Sequence, residues 1–506
     1  MTSQTLNPII PGFSPDPSLA KVGEWYYLVN SSFHMFPGLP IYASRDLVSW
    51  KQIGNAIHRQ SQLSLRKADT KFGHTDDTGG VMLVTGGLYA PTIRYHEGTF
   101  YVICTNILHV EGEDVPENFI VSTQDIWEGD WGDPVYFDFK GIDPSLLFDN
   151  GRVFVQGSAA PGPYTTINLF EIDIKTGNKL SEEKTIWKGT GGIYPEGPHV
   201  YKRNGWYYLM ISEGGTHEGH MVTMARSQGI WGPYESCPNN PILTARDTDE
   251  YIQYTGHCDA FQDDKSQWWG VCLGVRKGKG NKYIMGRETF LTRGNWDGEW
   301  LSFENVKSSL SGLGTSSLSA APGVDFLYIR DPILTNYEFC DSSIVLMAST
   351  VDLSSPHVSP TYIGKRQRKL NGQSTVTVSP LSHGSSSVCK AGIALYKDEH
   401  RYMGIFYDSS ESTVVFELIN KAKEIQRVEQ HRLDNVHDRL ELRIAYTEQA
   451  YRLFWKEEGK PDDWAQLADV DTLEMTGPDF VGPVIGIFAV ADSEGLKVAF
   501  NSLKID

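Results

Sequence analysis

The chain has 506 residues, of which 40% are hydrophobic and 12% aromatic, and its formal net charge is -18. This composition indicates folded domains with large cores, and the negative charge argues against nucleic acid and anionic membranes as partners. No run of about 18 apolar residues suggests a membrane span and no signal-peptide pattern is present, so we expect a cytoplasmic protein. The six cysteines are scattered without CxxC pairs, which favours buried thiols over a metal site.

The first 300 residues contain five similar units. In each unit a strand-like run follows a turn and an upstream apolar stretch, which is typical of a β-hairpin. The runs are EWYYLV at 24–29, TFYVIC at 99–104, RVFVQG at 152–157, GWYYLM at 205–210 and WWGVCL at 268–273. This five-fold repetition predicts an all-β domain over residues 1–305, a five-bladed β-propeller.

Charged and polar residues recur just upstream of these runs. When the units are aligned on the runs, five residues fall 9 to 11 positions before the second strand: Asp16, Ala90, Asp143, Glu196 and His257. The first strand of each propeller blade lines the central channel, so we expect the three acids to converge there. Asp16 lies between two prolines, which predict a stiff, extended segment around it. A lone Asp next to proline is common in turns, but three acids in register favour a site.

The composition of the sequence changes after about residue 305. The stretch SSLSGLGTSSLSAAPG at 308–323 is rich in Ser and Gly and predicts a linker or crossing loop over 306–324. Beyond it, residues 325–506 contain at least eight strand-like runs, including CKAGIALYKD, YMGIFYD and PVIGIFAVA, which indicate a β-sandwich. The charged stretch KAKEIQRVEQHR is compatible with a helix or with a solvated pair of strands.

Carboxyl groups in a polar cleft are the usual apparatus for cleaving glycosidic bonds. One group stays protonated and donates to the leaving oxygen, while the other activates water or attacks the sugar. A third acid nearby would raise the pKa of the proton donor through like-charge repulsion. Three acids at one funnel therefore predict a glycoside hydrolase whose substrate is an oligosaccharide or a polysaccharide.

Several longer motifs carry a family resemblance. NPIIPGFSPDPS, SSFHMFPGLPIYASRDLVSW, GIDPSLLFD, EGPHVYKRNGWYYLMISEGGT and MGRETF together resemble glycoside hydrolase family 43, in particular its two-domain β-xylosidases and α-L-arabinofuranosidases. The resemblance covers nearly the whole chain and implies a five-bladed propeller followed by a lectin-like sandwich. It also implies release of a terminal pentose with inversion at the anomeric carbon.

The resemblance assigns catalytic roles to the three acids. Asp16 would be the general base, Glu196 the general acid, and Asp143 the residue that orients the acid and tunes its pKa. Because a water must fit between base and sugar in an inverting enzyme, we expect the two carboxyl groups to lie about 6.5–9.5 Å apart.

The resemblance also points to residues around the sugar. Arg287 would contact the terminal sugar, with a surface pair to Glu288 as the alternative, and Phe33 and Tyr89 would border the pocket. His257 would lie near the propeller axis, where some relatives hold a cation, so a structural calcium is an option although no cofactor is required. His220 would either line the pocket or pack in the core. Residues 61–88 form a segment longer than usual that would alter the rim.

Other functions fit parts of the sequence. Arg330-Asp331-Pro332 matches a motif of retaining, invertase-like enzymes, but it lies beyond the fifth unit, and chance explains it better. A non-catalytic carbohydrate-binding protein is a third interpretation, and the intact acids oppose it. The residues do not decide between xylose and arabinose as the released sugar. They also leave open whether the sandwich binds sugar or forms a wall of the pocket.

Overall fold

The computed structural model describes residues 4–75, 80–159, 162–278, 280–379, 388–433, 439–459 and 464–506. Regular structure in these ranges is almost all β-strand, and the helices are three single 3-10 turns, Leu334–Asn336, Lys421–Lys423 and Thr472–Glu474. No helix in the described ranges has the length and apolarity needed to cross a membrane. The predicted all-β class is confirmed.

The chain divides into two compact units. The first comprises the described residues up to Lys67, 86–277 and 287–325, and the second comprises those of 68–85, 278–286 and 326–506. Most of the segment predicted to be unusually long, 61–88, therefore belongs to the second unit. There it forms a hairpin of strands Thr70–His74 and Val81–Thr85, whose tip at 76–79 lies outside the described residues.

The first unit contains five antiparallel sheets built on four strands each. The strands of blades one and two are Ser18–Val22, Trp25–Val29, Gly38–Ser44 and Ser49–Ile57, then Gly87–His96, Thr99–Val110, Glu113–Thr123 and Val135–Phe137. Those of blades three and four are Gly141–Asp149, Arg152–Ala159, Thr166–Glu171 and Lys184–Trp187, then Glu196–Arg203, Trp206–Glu213, Met221–Ser227 and Glu235–Ser236, with Leu243–Thr244 beside the third strand. Those of blade five are Ile252–Gln262, Trp268–Arg276, Glu288–Asn295 and Ser302–Phe303. Each of the five predicted runs forms the second strand of its blade.

The five sheets close into a ring. Their first strands contact one another in the order one, two, three, four, five and back to one. The N-terminal segment joins blade five, since Ile9 N donates to Thr289 O over 3.0 Å and the Asn7 amide donates to Leu291 O over 2.9 Å. This arrangement is the predicted five-bladed β-propeller, in which the first strands surround the axis.

Strand burial explains why the runs look continuously apolar. Trp206–Glu213 is buried along most of its length because neighbouring blades cover both of its faces. In the second unit, Leu440–Tyr446 alternates between buried and partly exposed residues, as in a strand with one face toward a core.

The segment 306–324, predicted as a linker or crossing loop, carries two short strands. Ser309–Ser311 pairs with Gln4–Leu6, and Ser317–Ala320 runs parallel to the last strand of blade one. Both strands have a leucine in contact with a hydrophobic cluster of the first unit, Leu310 and Leu318. The leucines give these serine-rich stretches a buried face, which composition alone did not reveal.

The second unit contains two antiparallel sheets that share one hydrophobic cluster, the predicted β-sandwich. The seven-stranded sheet has the order Tyr337–Phe339, Ser343–Met347, Lys497–Lys504, Gly372–Val378, Leu440–Tyr446, Ala450–Glu457 and Ala465–Asp471. The six-stranded sheet has the order Tyr362–Arg366, Val484–Ala491, Cys389–Asp398, Arg401–Asp408, Thr413–Asn420 and Ile425–Arg432. Two further short strands are Met35–Phe36 and Tyr328–Ile329. The charged stretch at 421–432 is a single 3-10 turn followed by an exposed edge strand.

Candidate active site

One backbone feature recurs at the start of every inner strand. A residue with positive φ precedes the regular strand pairing by two positions, and these five bulge positions are Asp16, Ala90, Asp143, Gly197 and His257. In blades one to four the next residue is proline, which restricts the chain further. The φ of Asp16 is +51°, in the left-handed region, so the expectation that its two prolines hold it extended is wrong. The bulge bends each inner strand just before its regular pairing begins.

The bulge positions correct the sequence alignment by one residue. Gly197, not Glu196, is the equivalent of Asp16 and Asp143, and Glu196 is instead the equivalent of Tyr89. Glycine adopts a φ of +57° without steric cost, and a Cβ at Gly197 would lie 2.9 Å from the His257 ring. Glu196 therefore projects from a different place on its strand than the two aspartates do.

Asp16 is buried and both of its carboxylate oxygens have partners. The Ser31 hydroxyl donates to Oδ2 over 2.6 Å, and the Arg287 guanidinium lies 3.3 Å from Oδ1. Ser31 is held in turn by the backbone N–H of Ala90, which donates to its hydroxyl over 2.7 Å. The side-chain amide of Asn30 donates to Ser14 O and Pro15 O, just before Asp16. Asn30 is itself buried, and these contacts hold the Asp16 carboxylate and its backbone in place.

Asp143 lies beside the first residues of the blade-four strand. Gly197 N donates to its Oδ2 over 3.0 Å, and His257 Nδ1 lies 4.0 Å from the same oxygen. Burial raises the pKa of Asp143 to about 6, against the effect of His257 and with a further contribution from the charge of Asp16.

Glu196 stands next to Asp143 along this edge. Its pKa is raised well above the usual value, first by burial and then by the negative charges of Asp143 and Asp16. The backbone of Glu196 pairs with Ser212, and the Ser212 hydroxyl accepts the His257 N–H over 2.6 Å. The site thus combines Glu196, whose pKa is raised, with the buried Asp16, whose carboxylate accepts hydrogen bonds from a hydroxyl and a guanidinium.

Arg287 is buried in the same site. Besides Asp16, its guanidinium donates to the Thr216 hydroxyl over 2.9 Å, and its carbon lies 5.5 Å from the centre of the Phe33 ring. The alternative pairing with Glu288 is wrong, because Glu288 accepts two 2.7 Å hydrogen bonds from Arg276 and a third from Gly12 N. Those bonds tie the start of the Asp16 loop to the strand that follows Arg287.

The predicted aromatic residues also meet here. The Phe33 and Tyr89 rings are 4.7 Å apart, and Phe33 and Leu88 exchange backbone hydrogen bonds of 3.1 Å. Phe33 is buried and Tyr89 is partly exposed, so this pair forms an apolar border beside the guanidinium of Arg287.

Two histidines lie deeper in the funnel. His220 is buried, donates from Nδ1 to Tyr254 O over 2.9 Å and packs over Gly256, so it belongs to the packing around the site. Burial lowers the pKa of His220 to about 3, which keeps it neutral. His257 has Asp143 and Ser212 as neighbours, and the described residues contain no group of three His, Cys, Asp or Glu side chains placed for a metal.

Sequence reasoning missed a charged network on the first strands, next to the site. Arg94 pairs with Asp259 over 2.8 Å and donates to His199 Nδ1 over 3.0 Å. Asp259 also accepts hydrogen bonds of 2.7 Å from the hydroxyls of Ser18 and Tyr201. A signal was present, since each of these residues stands two or four positions after a bulge position.

A second missed residue is Glu213, which is fully buried at the end of the second strand of blade four. Its carboxylate accepts hydrogen bonds of 2.6 and 2.5 Å from the backbone and hydroxyl of Thr190. A Cβ at Gly189 would lie 1.8 Å from the same carboxylate. Glu213 therefore anchors the glycine-rich loop at 189–192 that leads to Glu196.

Comparisons with known proteins agree with this architecture. The sequence profile of glycosyl hydrolases family 43 matches residues 5–301, and that of the beta xylosidase C-terminal Concanavalin A-like domain matches residues 319–505. The chain is 36% identical over 384 residues to the non-reducing end alpha-L-arabinofuranosidase BoGH43B of Bacteroides ovatus, covering 72% of this chain and 69% of that protein. It is 38% identical over 313 residues to xylosidase/arabinosidase 43B of Humicola insolens, covering 60% of this chain and 55% of that protein, so this match spans just over half of the relative.

Solved structures resemble the whole chain. The xylan beta-1,4-xylosidase from Bacillus halodurans superimposes with a TM-score of 0.85 at 26% identity, covering 99% of this chain and 100% of that one. The GH43B protein of the Bacteroides ovatus xyloglucan locus superimposes with a TM-score of 0.83 at 30% identity, with both chains fully covered.

Proposed function

Because the chain belongs to glycosyl hydrolase family 43, we propose that it is an inverting exo-glycosidase that releases terminal β-D-xylosyl or α-L-arabinofuranosyl groups from xylo-oligosaccharides or arabinoxylan. The observation that carries the proposal is the contrast between two acids of the site, Asp16 and Glu196. The pKa of Glu196 is raised well above its usual value, while Asp16 accepts hydrogen bonds from a hydroxyl and a guanidinium.

The reaction follows from these two environments. Glu196 donates its proton to the glycosidic oxygen as the bond to the anomeric carbon breaks. Asp16 takes a proton from a water, and the water oxygen bonds to the anomeric carbon from the opposite face. Each acid thus changes protonation state once, and bulk water restores both states. The carboxyl separation expected for this path, about 6.5–9.5 Å, stays a prediction.

Asp143 and Arg287 serve these two acids. The charge of Asp143 raises the pKa of Glu196, which favours the protonated form that a general acid needs. Arg287 lies beside Asp16 and Thr216, where its guanidinium can donate to sugar hydroxyl groups. Phe33 and Tyr89 supply the apolar border for the sugar ring.

A predominantly α-L-arabinofuranosidase activity is the second candidate. It is favoured by the identity of 36% to a protein named as a non-reducing end alpha-L-arabinofuranosidase. Initial rates on aryl β-D-xyloside and aryl α-L-arabinofuranoside, followed by arabinoxylan oligomers, decide between the two.

Two other interpretations lose support. The Arg330-Asp331-Pro332 motif of retaining enzymes belongs to the second unit, where Arg330 pairs with Glu399 over 3.6 Å. A binding protein without catalysis would not require a proton donor beside a held carboxylate.

The test combines stereochemistry with one substitution. NMR of the first product should show the inverted anomer, and initial retention would contradict the proposal. Asp16→Asn should lower kcat by about 10² to 10⁴ while sugar binding persists, since it removes the base and keeps the shape of the side chain. Asp149→Asn, at the far end of the blade-three inner strand, is the matched control.

Thermal unfolding with calcium and with a chelator tests for a structural cation near His257. The cytoplasmic location stays a prediction.

A further inference from the structure

Two tyrosines, Tyr194 and Tyr164, are joined by backbone contacts to the segment that leads to the general acid, and they have no part in the mechanism above. Tyr194 precedes Glu196 by two residues, and Tyr164 belongs to the connection between the second and third strands of blade three. They are partly exposed and 80% exposed, respectively. In the described residues Tyr164 is the most exposed of the large hydrophobic side chains.

Tyr194 links the sugar pocket to the segment that holds Tyr164. Its ring lies between Gly215 and Gly162, where added Cβ atoms would be 3.7 and 2.5 Å from it. Gly215 directly precedes Thr216, whose hydroxyl contacts Arg287, and Gly162 precedes Tyr164 by two residues. The contacts therefore connect Arg287 to the Tyr164 segment through Thr216, its neighbour Gly215 and Tyr194.

The backbone on both sides of Tyr164 is tied to the residues before the acid. Tyr194 N donates to Pro163 O over 2.7 Å, and the Thr165 hydroxyl donates to Pro195 O over 2.8 Å. The Ser158 hydroxyl donates to the same Pro195 oxygen over 2.7 Å. Because Pro195 is bonded to Glu196, these bonds hold the backbone on both sides of Tyr164 against the residue before the proton donor.

The chemistry of the reaction says what lies at this place. The general acid must be within hydrogen-bond reach of the glycosidic oxygen, and that oxygen is bonded to the first sugar of the leaving group. A tyrosine whose backbone is held beside the acid offers contact area at a low cost in conformational entropy, since its side chain has only two torsions.

We propose that Tyr164 is a substrate-binding residue for the leaving group, stacking on a pentose of the xylo-oligosaccharide or xylan backbone beyond the scissile bond, with Tyr194 as the inner part of the same platform. The inference rests on the proposed function. It predicts that recognition extends past the terminal pentose, and that the leaving chain contributes to transition-state binding.

The test compares substrates with and without a sugar as leaving group. Wild type, Tyr164→Ala and Tyr164→Phe are assayed on xylotriose, on arabinosylated xylotriose and on the glycosyl fluoride of whichever pentose is released. Tyr164→Ala should lower kcat/KM about tenfold on the oligosaccharide and leave the fluoride within about twofold, because only the oligosaccharide reaches the ring. Tyr164→Phe keeps the ring and should stay within about twofold on both substrates.

Several outcomes would overturn the inference. An equal loss on both substrates would mean that Tyr164 only supports the fold around the acid, and no loss on either would mean that it binds nothing. Binding of xylobiose to a Glu196→Gln background, with and without Tyr164→Ala, measures the same contact without turnover, and equal affinities would also refute it. Failure of wild type on the fluorides and aryl glycosides alike would instead contradict the proposed function.

Discussion

Replacing Asp143 by Asn should make the protein more stable and less active near neutral pH. The pKa of Asp143 is raised from 3.8 to about 6, chiefly by burial, so ionising it in the folded state is unfavourable. A difference of about 2 in the pKa of Asp143 corresponds to roughly 3 kcal/mol, because one pKa unit is worth 1.36 kcal/mol. Asparagine is neutral, and its Oδ1 can still accept the Gly197 N–H that now binds Oδ2.

The sign of the pH effect follows from the direction of the shift. A carboxyl group whose pKa is raised in the folded state favours folding fully below its unfolded pKa, near 4, and this contribution is lost as the pH rises toward about 6. The difference in stability between Asp143→Asn and wild type should therefore be small at pH 4 and grow by about 3 kcal/mol by pH 7. Thermal and denaturant unfolding at a series of pH values measures it.

The same substitution should change the pH dependence of activity. Without the negative charge of Asp143, one cause of the raised pKa of Glu196 is gone, although burial, the larger cause, remains. The alkaline limb of the kcat/KM profile should move to lower pH. The reasoning is refuted if the stability difference is the same at pH 4 and pH 7, or if the alkaline limb does not move.

Asp149, on the same strand, is the control of opposite sign. Burial acts to raise its pKa, but hydrogen bonds from Lys202 and Tyr207 outweigh this and lower it. Asp149→Asn should therefore lose stability as the pH rises above the range in which Asp149 ionises, whereas Asp143→Asn gains it.

Two further predictions concern the proton donor and the inner-strand network. Glu196→Gln should lower kcat/KM by about 10³ on xylobiose and far less on a dinitrophenyl glycoside, whose leaving group needs no proton, and an equal loss on both would contradict the role of general acid. Arg94→Met should cost about 3–5 kcal/mol in denaturant unfolding, because it leaves the buried Asp259 carboxylate without its ion pair. Adding Asp259→Leu should recover part of that loss, and a double variant as unstable as the sum of the singles would show that the ion pair does not explain it.

The propeller was readable because its pattern is local. Each blade repeats a turn, an aromatic strand and an upstream residue next to proline, and these features depend on residues only a few positions apart. The register of Glu196 was not readable to the residue, because the distance from the aligned residue to the second strand varied from 9 to 11 positions among the five units. Alignment on the strand aromatics placed Glu196 level with Asp16, whereas the backbone places Gly197 there.

The segment at 68–85 shows another limit of local reasoning. Its sequence indicated only an unusual length, but its hairpin belongs to the second unit, where the Thr70 backbone and hydroxyl donate to Glu399, 329 residues away. The residues around Thr70 in the sequence contain nothing that indicates a hydrogen bond to Glu399, because that contact forms only in the folded chain.

The sequence by itself determined the all-β class, the five-fold repeat, the sandwich and the identity of the three acids, because strand periodicity and proline-flanked acids are encoded over short distances. Only the tertiary structure decided which groups these acids meet. Arg287 pairs with Asp16 across 271 residues and not with its neighbour Glu288, and the raised pKa values of Asp143 and Glu196 arise from burial and from charges brought close by the ring of blades. Electrostatic energies depend on distance in space and on exclusion of water, and both of these exist only once the blades have closed.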